Sequence, residues 1–306
     1  MLNKIDLSVN IAGIKFDNPV IMASGTYGFG KEYSEYLDLN ALGGISVKGL
    51  TLKERKGNLP PRIAETPAGI LNSVGLQNPG VDAFIKHDLP FLKKFNTKII
   101  ANIAGNTIEE YCQMAEILGD TAIDAIELNV SCPNVKEGCL AFGTSPRGIE
   151  EITSTVKKYC KAPLIVKLTP NVSDIKSIAQ AAEAAGADCI SLINTILGMV
   201  IDIHKRKPIL ANNFGGLSGP AVKPIAVRMV YEVAHTVKIP VIGMGGVSCS
   251  EDAIEFLLAG ATAVMVGTAN FVNPIVPIEI LNGIEEYLKM YNYNNIYDVI
   301  GKLEMN

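Results

Sequence analysis

The sequence is short of the residues that most often build metal and acid–base sites. It contains no tryptophan and only three histidines, His87, His204 and His235, none of which ends an apparent strand. A histidine-centred catalytic or metal site is therefore not expected, and proton transfer needs another base. The six cysteines show no Cys-x-x-Cys spacing, which argues against a zinc site or an iron–sulfur cluster held by this chain. We expect reduced thiols and no bound metal.

An excess of basic charge and a long apolar run are absent as well. With 27 lysines and arginines against 31 acidic residues the net charge is −4, so no basic surface for nucleic acid or anionic lipid is expected. No run of about 20 uncharged apolar residues could span a membrane, and residues 1–6 lack the basic start and apolar core of a signal peptide. These absences predict a cytoplasmic protein whose partners are small molecules or other proteins.

The chain instead has ample apolar sequence, arranged in short runs. Hydrophobic residues make up 48% of the 306 positions, and we expect a single domain over 1–306. Eight apolar runs each end in a polar residue or glycine: 19–23, 44–47, 98–101, 124–128, 163–166, 187–193, 240–242 and 262–266. Helix-period segments lie between them, which predicts an α/β fold with an all-parallel sheet. Eight strands can close into a (β/α)8 TIM barrel, and a doubly wound open sheet is the alternative.

Several helices carry start signals. Thr107, followed by Glu110, forms a capping-box sequence before an apolar stripe. Further helices are predicted over 173–185, over about 220–237, and from Ser250, which is followed by two acidic residues.

The two ends of the chain are predicted to lie outside the barrel itself. Residues 6–10 and 13–17 alternate apolar and polar across Ile11-Ala12, which predicts an N-terminal β-hairpin within 1–18. Residues 274–306 are expected to form a C-terminal amphipathic helix and a tail.

Active groups of such barrels gather at the C-terminal ends of the strands. The predicted strand ends are almost all polar or glycine: Ser24, Lys48, Asn102, Asn129, Lys167, Asn194 with Thr195, Gly245 with Gly246, and Gly267 with Thr268. The glycines after the seventh and eighth strands match where such barrels bind phosphate through backbone N–H groups. We therefore predict a phosphate site there.

One of the two lysines at strand ends has rival roles. Lys167 could form a Schiff base, as in barrel aldolases, or stabilise an anion on a cofactor or substrate. Four carboxamides are expected near the same rim: Asn72, Asn129, Asn134 and Asn194. They favour the second role, because together they can donate and accept at several edges of a planar, amide-rich ring such as a pyrimidine.

A cysteine follows the fourth predicted strand. The run 124–130 ends in the loop Ser131-Cys132-Pro133-Asn134. A single cysteine is more often a small buried hydrophobe than a reactive group. The position of Cys132 at a strand end, beside carboxamides, makes it the candidate reactive thiol.

Five motifs together resemble one family. They are Asn72-Ser73-Val74-Gly75-Leu76-Gln77-Asn78-Pro79-Gly80, Asn129-Val130-Ser131-Cys132-Pro133-Asn134, Ser191-Leu192-Ile193-Asn194-Thr195, Gly215-Gly216-Leu217-Ser218-Gly219-Pro220, and Gly243-Met244-Gly245-Gly246-Val247. Over residues 6–273 the chain is similar to the class 1 dihydroorotate dehydrogenases, specifically to the catalytic subunit of the class 1B type. Membrane-bound class 2 enzymes carry serine where this chain has Cys132.

The resemblance implies an FMN-containing barrel that oxidises dihydroorotate to orotate in de novo pyrimidine (UMP) biosynthesis. The implied FMN contacts are Ser24, Lys48, Gly49, Asn102, Asn129, Lys167, Ile193, Gly219, Gly245, Gly246, Gly267 and Thr268. Lys167 would lie near the flavin pyrimidine edge, where a positive charge stabilises the reduced anionic flavin. The implied substrate contacts are Lys48, Asn72, Ser73, Val74, Gly75, Leu76, Asn129, Asn134, Asn194 and Thr195.

Cys132 then gains a role as general base. It would remove the C5 proton of dihydroorotate while hydride leaves C6 for flavin N5. A free thiol titrates near 8.5, so the thiolate must be favoured, and the positive field of Lys48 is the candidate for this.

The chain cannot by itself explain electron transfer to NAD, because it has no cluster cysteines and no Gly-x-Gly-x-x-Gly fingerprint. The resemblance implies a partner subunit with FAD and a [2Fe–2S] cluster, in a heterotetramer built on a dimer of catalytic subunits. The alternatives are a class 1A-like homodimer that uses fumarate, a lyase with a Schiff base on Lys167, and a non-catalytic barrel. The segment 196–214 is long for a βα loop and has little helix signal, and loops of this length are usually functional or disordered. The loop 133–147 is a candidate lid, with Gly138 and Gly143 as possible hinges.

Overall fold

The computed structural model describes residues 5–130 and 142–306. At its centre is a closed barrel of eight parallel strands: Val20–Met22, Gly44–Ser46, Lys98–Ile103, Ala125–Asn129, Leu164–Lys167, Cys189–Leu192, Val241–Met244 and Ala263–Val266. Each strand pairs with the next in chain order, and the eighth pairs with the first. All eight predicted strands are therefore confirmed, and the closed ring establishes the (β/α)8 barrel over the open sheet. The strands are apolar and buried because helices cover the outer face and side chains fill the interior.

Helices follow the strands and pack around the barrel. In the described part of the chain the α-helices are Val81–Ala83, Leu89–Leu92, Ile108–Gly119, Pro146–Lys157, Ile175–Ala184, Lys223–Ala234, Ser250–Leu258, Ala269–Val272 and Val276–Met290. A π-helical turn, Phe84–Asp88, joins the first two. Short 3-10 turns are found at Tyr33–Glu35, Leu39–Ala41, Phe142–Thr144, Pro220–Val222 and Ile296–Asp298.

The predicted helix starts are close to the observed ones. Thr107 caps its helix, and its Oγ1 accepts the N–H of Glu110 at 3.3 Å. The helix predicted over 173–185 begins only at Ile175, because the Asp174 carboxylate accepts N–H groups of the first turn and so becomes the cap. The helix expected over 220–237 is a 3-10 turn followed by a shorter α-helix that ends at Ala234.

The N-terminal hairpin consists of Val9–Ile11 and Ile14–Phe16. Its turn is at Ala12-Gly13, with φ of 53° and 83°, so the turn predicted at Ile11-Ala12 was placed one residue too early. The reason is packing: Ile11 is fully buried and remains in the strand. The hairpin packs against the start of the second barrel strand, where a Cβ on Gly44 would lie 3.0 Å from the Phe16 ring.

A second, antiparallel sheet extends the chain beyond the C-terminal ends of the second and sixth barrel strands. Its strands, in spatial order, are Ile196–Gly198, Gly215–Ser218, Gly69–Asn72 and Ile63–Thr66, and a further pair joins Ile201–Asp202 to Lys207–Pro208. The segment 196–214, expected to be a long loop, thus contains the short strands Ile196–Gly198, Ile201–Asp202 and Lys207–Pro208 and, as its weak helix signal indicates, no helix. Ile196–Gly198 pairs with Gly215–Ser218, and Ile201–Asp202 pairs with Lys207–Pro208. Such short strands have too few residues for apolar periodicity to reveal them.

The C-terminal helix Val276–Met290 buries Ile280, Ile284 and Leu288 against the barrel, as its stripe predicts. The tail after it pairs with the N-terminal segment, since the N–H of Ile296 donates to the carbonyl of Asp6 at 3.0 Å. Over residues 5–130 and 142–306, no helix has both the length and the apolar character that a membrane crossing requires.

Candidate active site

Strand register determines which side chains meet near the C-terminal end of the barrel. Asn102 on the third strand is paired with Glu127 on the fourth, and Asn129 is paired with Lys167 on the fifth. Lys167 is in turn paired with Ser191 on the sixth. Side chains from four neighbouring strands are thus brought into one small region of the barrel interior.

Glu127 is at the centre of this region. Its side chain has no exposed surface. Its Oε2 accepts hydrogen bonds from Ser46 Oγ at 2.8 Å and Asn102 Nδ2 at 2.5 Å, and its Oε1 accepts one from Ser191 Oγ at 2.7 Å. The ammonium of Lys167, also buried, lies 3.7 Å from Oε2. A carboxylate tolerates such burial only when it is surrounded by donors and an opposite charge.

Glu127, Ser46 and Ser191 were not among the predicted site residues. The sequence does contain a signal for these three residues, because each is a polar residue within an otherwise apolar strand. A polar side chain within a buried strand needs a partner, and the pairing of these residues across the barrel interior required the structure.

Three carboxamides form a row above Glu127. Asn129 Nδ2 donates to Asn102 Oδ1 at 3.5 Å, and Asn194 Nδ2 donates to Asn129 Oδ1 at 3.4 Å. These contacts are long, but they run in one direction from strand to strand. The row therefore joins two residues predicted to contact a cofactor with one predicted to contact the substrate.

The glycines predicted to bind phosphate are close together. Gly245 and Gly246 have φ of 125° and 82°, and a Cβ on Gly246 would lie 2.9 Å from the carbonyl oxygen of Gly219. Gly219 itself has φ of 104° and is near Thr268, whose Oγ1 donates to Ser218 Oγ at 2.8 Å. Backbone in these conformations, free of side chains, can present N–H groups to an anion.

The segment 72–76 reaches the same rim from the second sheet. Asn72 Nδ2 donates to the carbonyl of Gly216 at 3.2 Å. A Cβ on Gly49 would lie 3.2 Å from Leu76 Cδ2 and 3.0 Å from Asn102 Oδ1. Gly49 is therefore needed for Leu76 and Asn102 to approach each other.

Asn58 holds the next part of this segment. It donates through Nδ2 to the carbonyl of Ser73 at 2.8 Å and through its N–H to the carbonyl of Val74 at 3.0 Å. Gly75, with φ of 76°, packs directly on the Asn58 side chain, where a Cβ would lie 2.6 Å away.

Lys48 is in an electrostatically unfavourable position. Burial lowers the pKa of its ammonium, and the charges of Arg62 and Lys167 lower that pKa further. Over the described residues, no carboxylate forms an ion pair with Lys48. Lys48, Arg62 and Lys167 form a cluster of cations in which Lys167 pairs with Glu127, and the remaining positive charge fits an anionic ligand. Arg62 was not among the predicted site residues, because nothing in its local sequence pattern indicates that it lies near the barrel mouth.

The remaining predicted residues that the structure describes are at the same end of the barrel. Ser24 is buried just after the first strand. Ile193 follows the sixth strand and packs on Gly245, whose Cβ would lie 3.1 Å from Ile193 Cγ1. Thr195 packs on Gly216, where a Cβ would lie 2.0 Å from Thr195 Oγ1. Gly267 has ordinary backbone geometry, and a Cβ there would lie 3.6 Å from Ala23 Cβ. Cys132 and Asn134 lie outside the described residues.

The residues present fit a ligand with a phosphate group and a planar ring with amide edges. Ser73 Oγ is buried and has no hydrogen-bond partner among the described residues, so it is an unused polar group in a predicted substrate segment. Lys48 forms no ion pair within the described part of the chain, and the glycine backbone leaves room for an anion. Together they indicate a site for a small anionic ligand and a phosphorylated cofactor.

Comparison with known proteins gives one consistent result. The family model described as dihydroorotate dehydrogenase matches residues 6–288. A protein of Alkaliphilus oremlandii named dihydroorotate dehydrogenase B (NAD(+)), catalytic subunit, is 62% identical over 99% of this chain and 100% of its own length. Proteins of the same name from Alkaliphilus metalliredigens and a Thermoanaerobacter species are 60% and 58% identical, over 99% and 98% of this chain and all of their own length.

Proposed function

The chain belongs to the dihydroorotate dehydrogenase family, and from this membership we propose that it oxidises (S)-dihydroorotate to orotate in pyrimidine biosynthesis. It acts as the catalytic subunit of an NAD-linked enzyme, as its relatives are named. The observation that carries the proposal is the row of carboxamides near Lys48, whose ammonium forms no ion pair with the residues that the structure describes. Dihydroorotate combines a carboxylate with a ring that has amide N–H and C=O edges, and these two kinds of group match it.

FMN is the proposed cofactor, and when bound it supplies the hydride acceptor. The proposed phosphate ligands are the backbone N–H groups of Gly245, Gly246 and Gly267 together with Thr268. The other proposed cofactor contacts are Ser24, Lys48, Gly49, Asn102, Asn129, Lys167, Ile193 and Gly219. Support for this set comes from the positive φ values and the close approach of Gly219 and Gly246. Lys167 contributes positive charge at the ring edge, next to Asn129.

The proposed substrate contacts are Lys48, the segment 72–76, Asn129, Asn134, Asn194 and Thr195. Lys48 pairs with the substrate carboxylate, which would relieve the repulsion it experiences from Arg62 and Lys167. Ser73 Oγ gains the hydrogen-bond partner that it otherwise lacks among the described residues. These contacts hold the ring in place for proton and hydride removal from adjacent carbons.

Cys132 is the proposed general base. It removes the proton from C5 of dihydroorotate while hydride leaves C6. The thiolate needed for this is favoured by nearby positive charge, and Lys48 is the proposed source.

Electrons leave the catalytic subunit through a partner. The name of the relatives, catalytic subunit, implies another subunit, and we assign to it FAD and a [2Fe–2S] cluster, in a heterotetramer with two catalytic subunits. The alternative acceptor, fumarate in a class 1A-like homodimer, is disfavoured because the relatives are named as NAD(+)-linked.

The visible spectrum of the purified chain, recorded without oxygen before and after adding L-dihydroorotate, tests the proposal. A yellow protein that bleaches is expected. A yellow protein that stays oxidised would refute the substrate, and a colourless chain that takes up no added FMN would favour a lyase with Lys167 as Schiff base.

A further inference from the structure

Glu127 is surrounded by three hydrogen-bond donors and one cation. Ser46, Asn102 and Ser191 donate hydrogen bonds, and Lys167 contributes a positive charge. A carboxylate in this setting is an acceptor only. Asn102 must therefore turn its Nδ2 toward Glu127, and the orientation of its amide is no longer free.

The orientation of Asn102 determines that of its neighbours. With Nδ2 directed at Glu127, Asn102 offers Oδ1 to Asn129, which donates to it at 3.5 Å. Asn129 then has Oδ1 left to accept from Asn194 at 3.4 Å. The row ends where Asn194 Oδ1 accepts the backbone N–H of Thr195 at 2.8 Å, a group that can only donate. Both ends of the row thus require the same direction.

The direction of this row matters for recognition. When a carboxamide is rotated by 180°, its N–H donor and its C=O acceptor exchange places. A ring bound beside it then has donor facing donor and acceptor facing acceptor, and both hydrogen bonds are lost. Asn102 and Asn129 are proposed cofactor contacts, and Asn129 and Asn194 are proposed substrate contacts. A residue that fixes the orientation of these amides would therefore affect the binding of both ligands without contacting either of them.

We propose that Glu127 is a positioning residue that fixes, through Asn102, the donor and acceptor pattern of the carboxamide row Asn102–Asn129–Asn194. The inference rests on the proposed function for the identity of the ligands. Ser46 and Ser191 hold the carboxylate from either side, and Lys167 balances its charge.

Two substitutions of Glu127 distinguish the effect of losing the hydrogen-bond acceptor from the effect of changing the side-chain volume. In Glu127→Gln, the amide oxygen can replace Oε2 while the amide nitrogen donates to Ser191, so the direction of the row is retained. In Glu127→Met, a side chain of similar length offers no such acceptor, and Asn102 is free to reverse. Asp124→Asn is the matched control, because Asp124 precedes the same strand at its other end and accepts the N–H of Ile99 at 2.8 Å.

The first measurement is the FMN dissociation constant, obtained by fluorescence titration of the apoprotein, with a thermal melt of each apoprotein beside it. We expect Glu127→Met to raise the constant by about ten-fold or more, because buried polar groups lose their partners. Glu127→Gln also removes the charge that balances Lys167, so we expect it to raise the constant, but clearly less than Glu127→Met does. Asp124→Asn is expected to stay within about three-fold of the parent. Equal losses in the Gln and Met variants would overturn the inference.

The second measurement is the split between KM and kcat for dihydroorotate at saturating FMN. Asn194→Ala is expected to raise KM, and the double variant with Glu127→Met to raise it no further than the larger single change, because both act on one row. If the KM of the double variant instead rises by the product of the two single increases, Glu127 acts independently of the carboxamide row, and the inference is overturned.

A variant that cannot fold does not end the test. If Glu127→Met gives no cooperative melt, Asn102→Ser takes its place, because serine keeps a donor beside Glu127 but is too short to reach Asn129. A raised KM for dihydroorotate is expected from it, and an unchanged KM would overturn the inference. If the parent protein binds FMN but is not reduced by dihydroorotate, the proposed function fails, and the FMN constants of the Glu127 variants alone decide the inference.

Discussion

The ammonium of Lys167 lies 3.7 Å from the Oε2 of Glu127, and both side chains are almost completely inaccessible to solvent. The cost of placing this pair in the barrel interior is offset by three further hydrogen bonds to the carboxylate. An ion pair of similar length, Lys98 with Asp124 at 3.6 Å, is partly exposed. The two pairs therefore allow the effect of burial to be measured at a nearly constant distance.

Removing one member of the buried pair should destabilise the protein far more than removing one member of the exposed pair. Lys167→Met is expected to lower the free energy of unfolding by about 3–5 kcal/mol, because it leaves a buried carboxylate without a counter-charge. Lys98→Met is expected to lower it by about 0–1 kcal/mol. Urea unfolding of the apoproteins measures both. The double variant Lys167→Met/Glu127→Gln should recover part of the loss, and a double variant less stable than Lys167→Met would contradict this account.

Ligand affinity should depend on pH through Lys48. Its folded pKa is below the ordinary value of 10.5, because burial and two nearby cations disfavour the charge. Between the folded pKa and 10.5 the unfolded chain binds more protons, so apoprotein stability rises with pH across that window. Orotate is an anion, so it binds more tightly when Lys48 is protonated. Orotate affinity should therefore fall as pH rises through the folded pKa, by up to about ten-fold per pH unit.

Orotate titrations followed by the flavin spectrum measure this dependence. Cys132→Ala is the suitable background, since an ordinary thiol titrates near 8.5 and would add a pH dependence of its own. Lys48→Arg in that background is the control, because arginine stays charged at every pH used. The same alkaline loss of affinity in the arginine variant would exclude Lys48 as its origin.

The phosphate site should not accept a side chain at Gly246. Its φ of 82° is unfavourable for any L-residue, and a Cβ would lie 2.8 Å from Lys223 Cβ and 2.9 Å from the carbonyl oxygen of Gly219. Gly246→Ala is expected to weaken FMN binding by about ten-fold or more, because the backbone must shift. Gly186→Ala is the control, with φ of 97° but only an ordinary contact at 3.5 Å. It should lower stability by about 1–2 kcal/mol and leave the FMN constant unchanged.

Cys132→Ala should separate cofactor binding from chemistry. The variant is expected to bind FMN as the parent does, because the proposed role of the thiol concerns only the substrate proton. Reduction of the flavin by dihydroorotate should slow by about 10²–10⁴-fold, the usual contribution of a general base. Anaerobic stopped-flow absorbance measures the rate. Reduction at nearly the parental rate would remove Cys132 as the base.

The barrel could be predicted from the sequence because each strand is a short, continuous apolar run that ends at a polar residue or a glycine. The run 262–266, for example, is followed by Gly267 and is a buried strand in the structure. The hairpin formed by Ile63–Thr66 and Gly69–Asn72 was missed. Its strands bury few side chains, and the strand Gly69–Asn72 is stabilised by pairing with Gly215–Ser218, which is far away in sequence.

The candidate site was predictable in a similar, partial way. Residues at strand ends, such as Asn102 and Lys167, could be assigned to the rim because barrel topology places strand ends together. Glu127 could not be given a role, because its partners Ser46 and Ser191 lie on other strands and only the register brings them to its two oxygens. Register depends on the closed barrel as a whole, not on any one segment.

The substitution Ser73→Ala should have opposite effects on the stability of the apoprotein and on its affinity for orotate. Its hydroxyl is buried and, among the described residues, has no hydrogen-bond partner, so Ser73→Ala should leave the stability of the apoprotein unchanged or raise it by about 1 kcal/mol. If the hydroxyl binds substrate, the same change should weaken orotate binding by about ten-fold. Thr153→Val is the control, since Thr153 Oγ1 is also buried without a partner in the described structure but lies on the outer helix Pro146–Lys157. It should affect stability similarly and leave orotate affinity unchanged. Urea unfolding and spectral titration measure the two quantities, and a loss of stability without a loss of affinity in Ser73→Ala would show that the hydroxyl has a structural role instead.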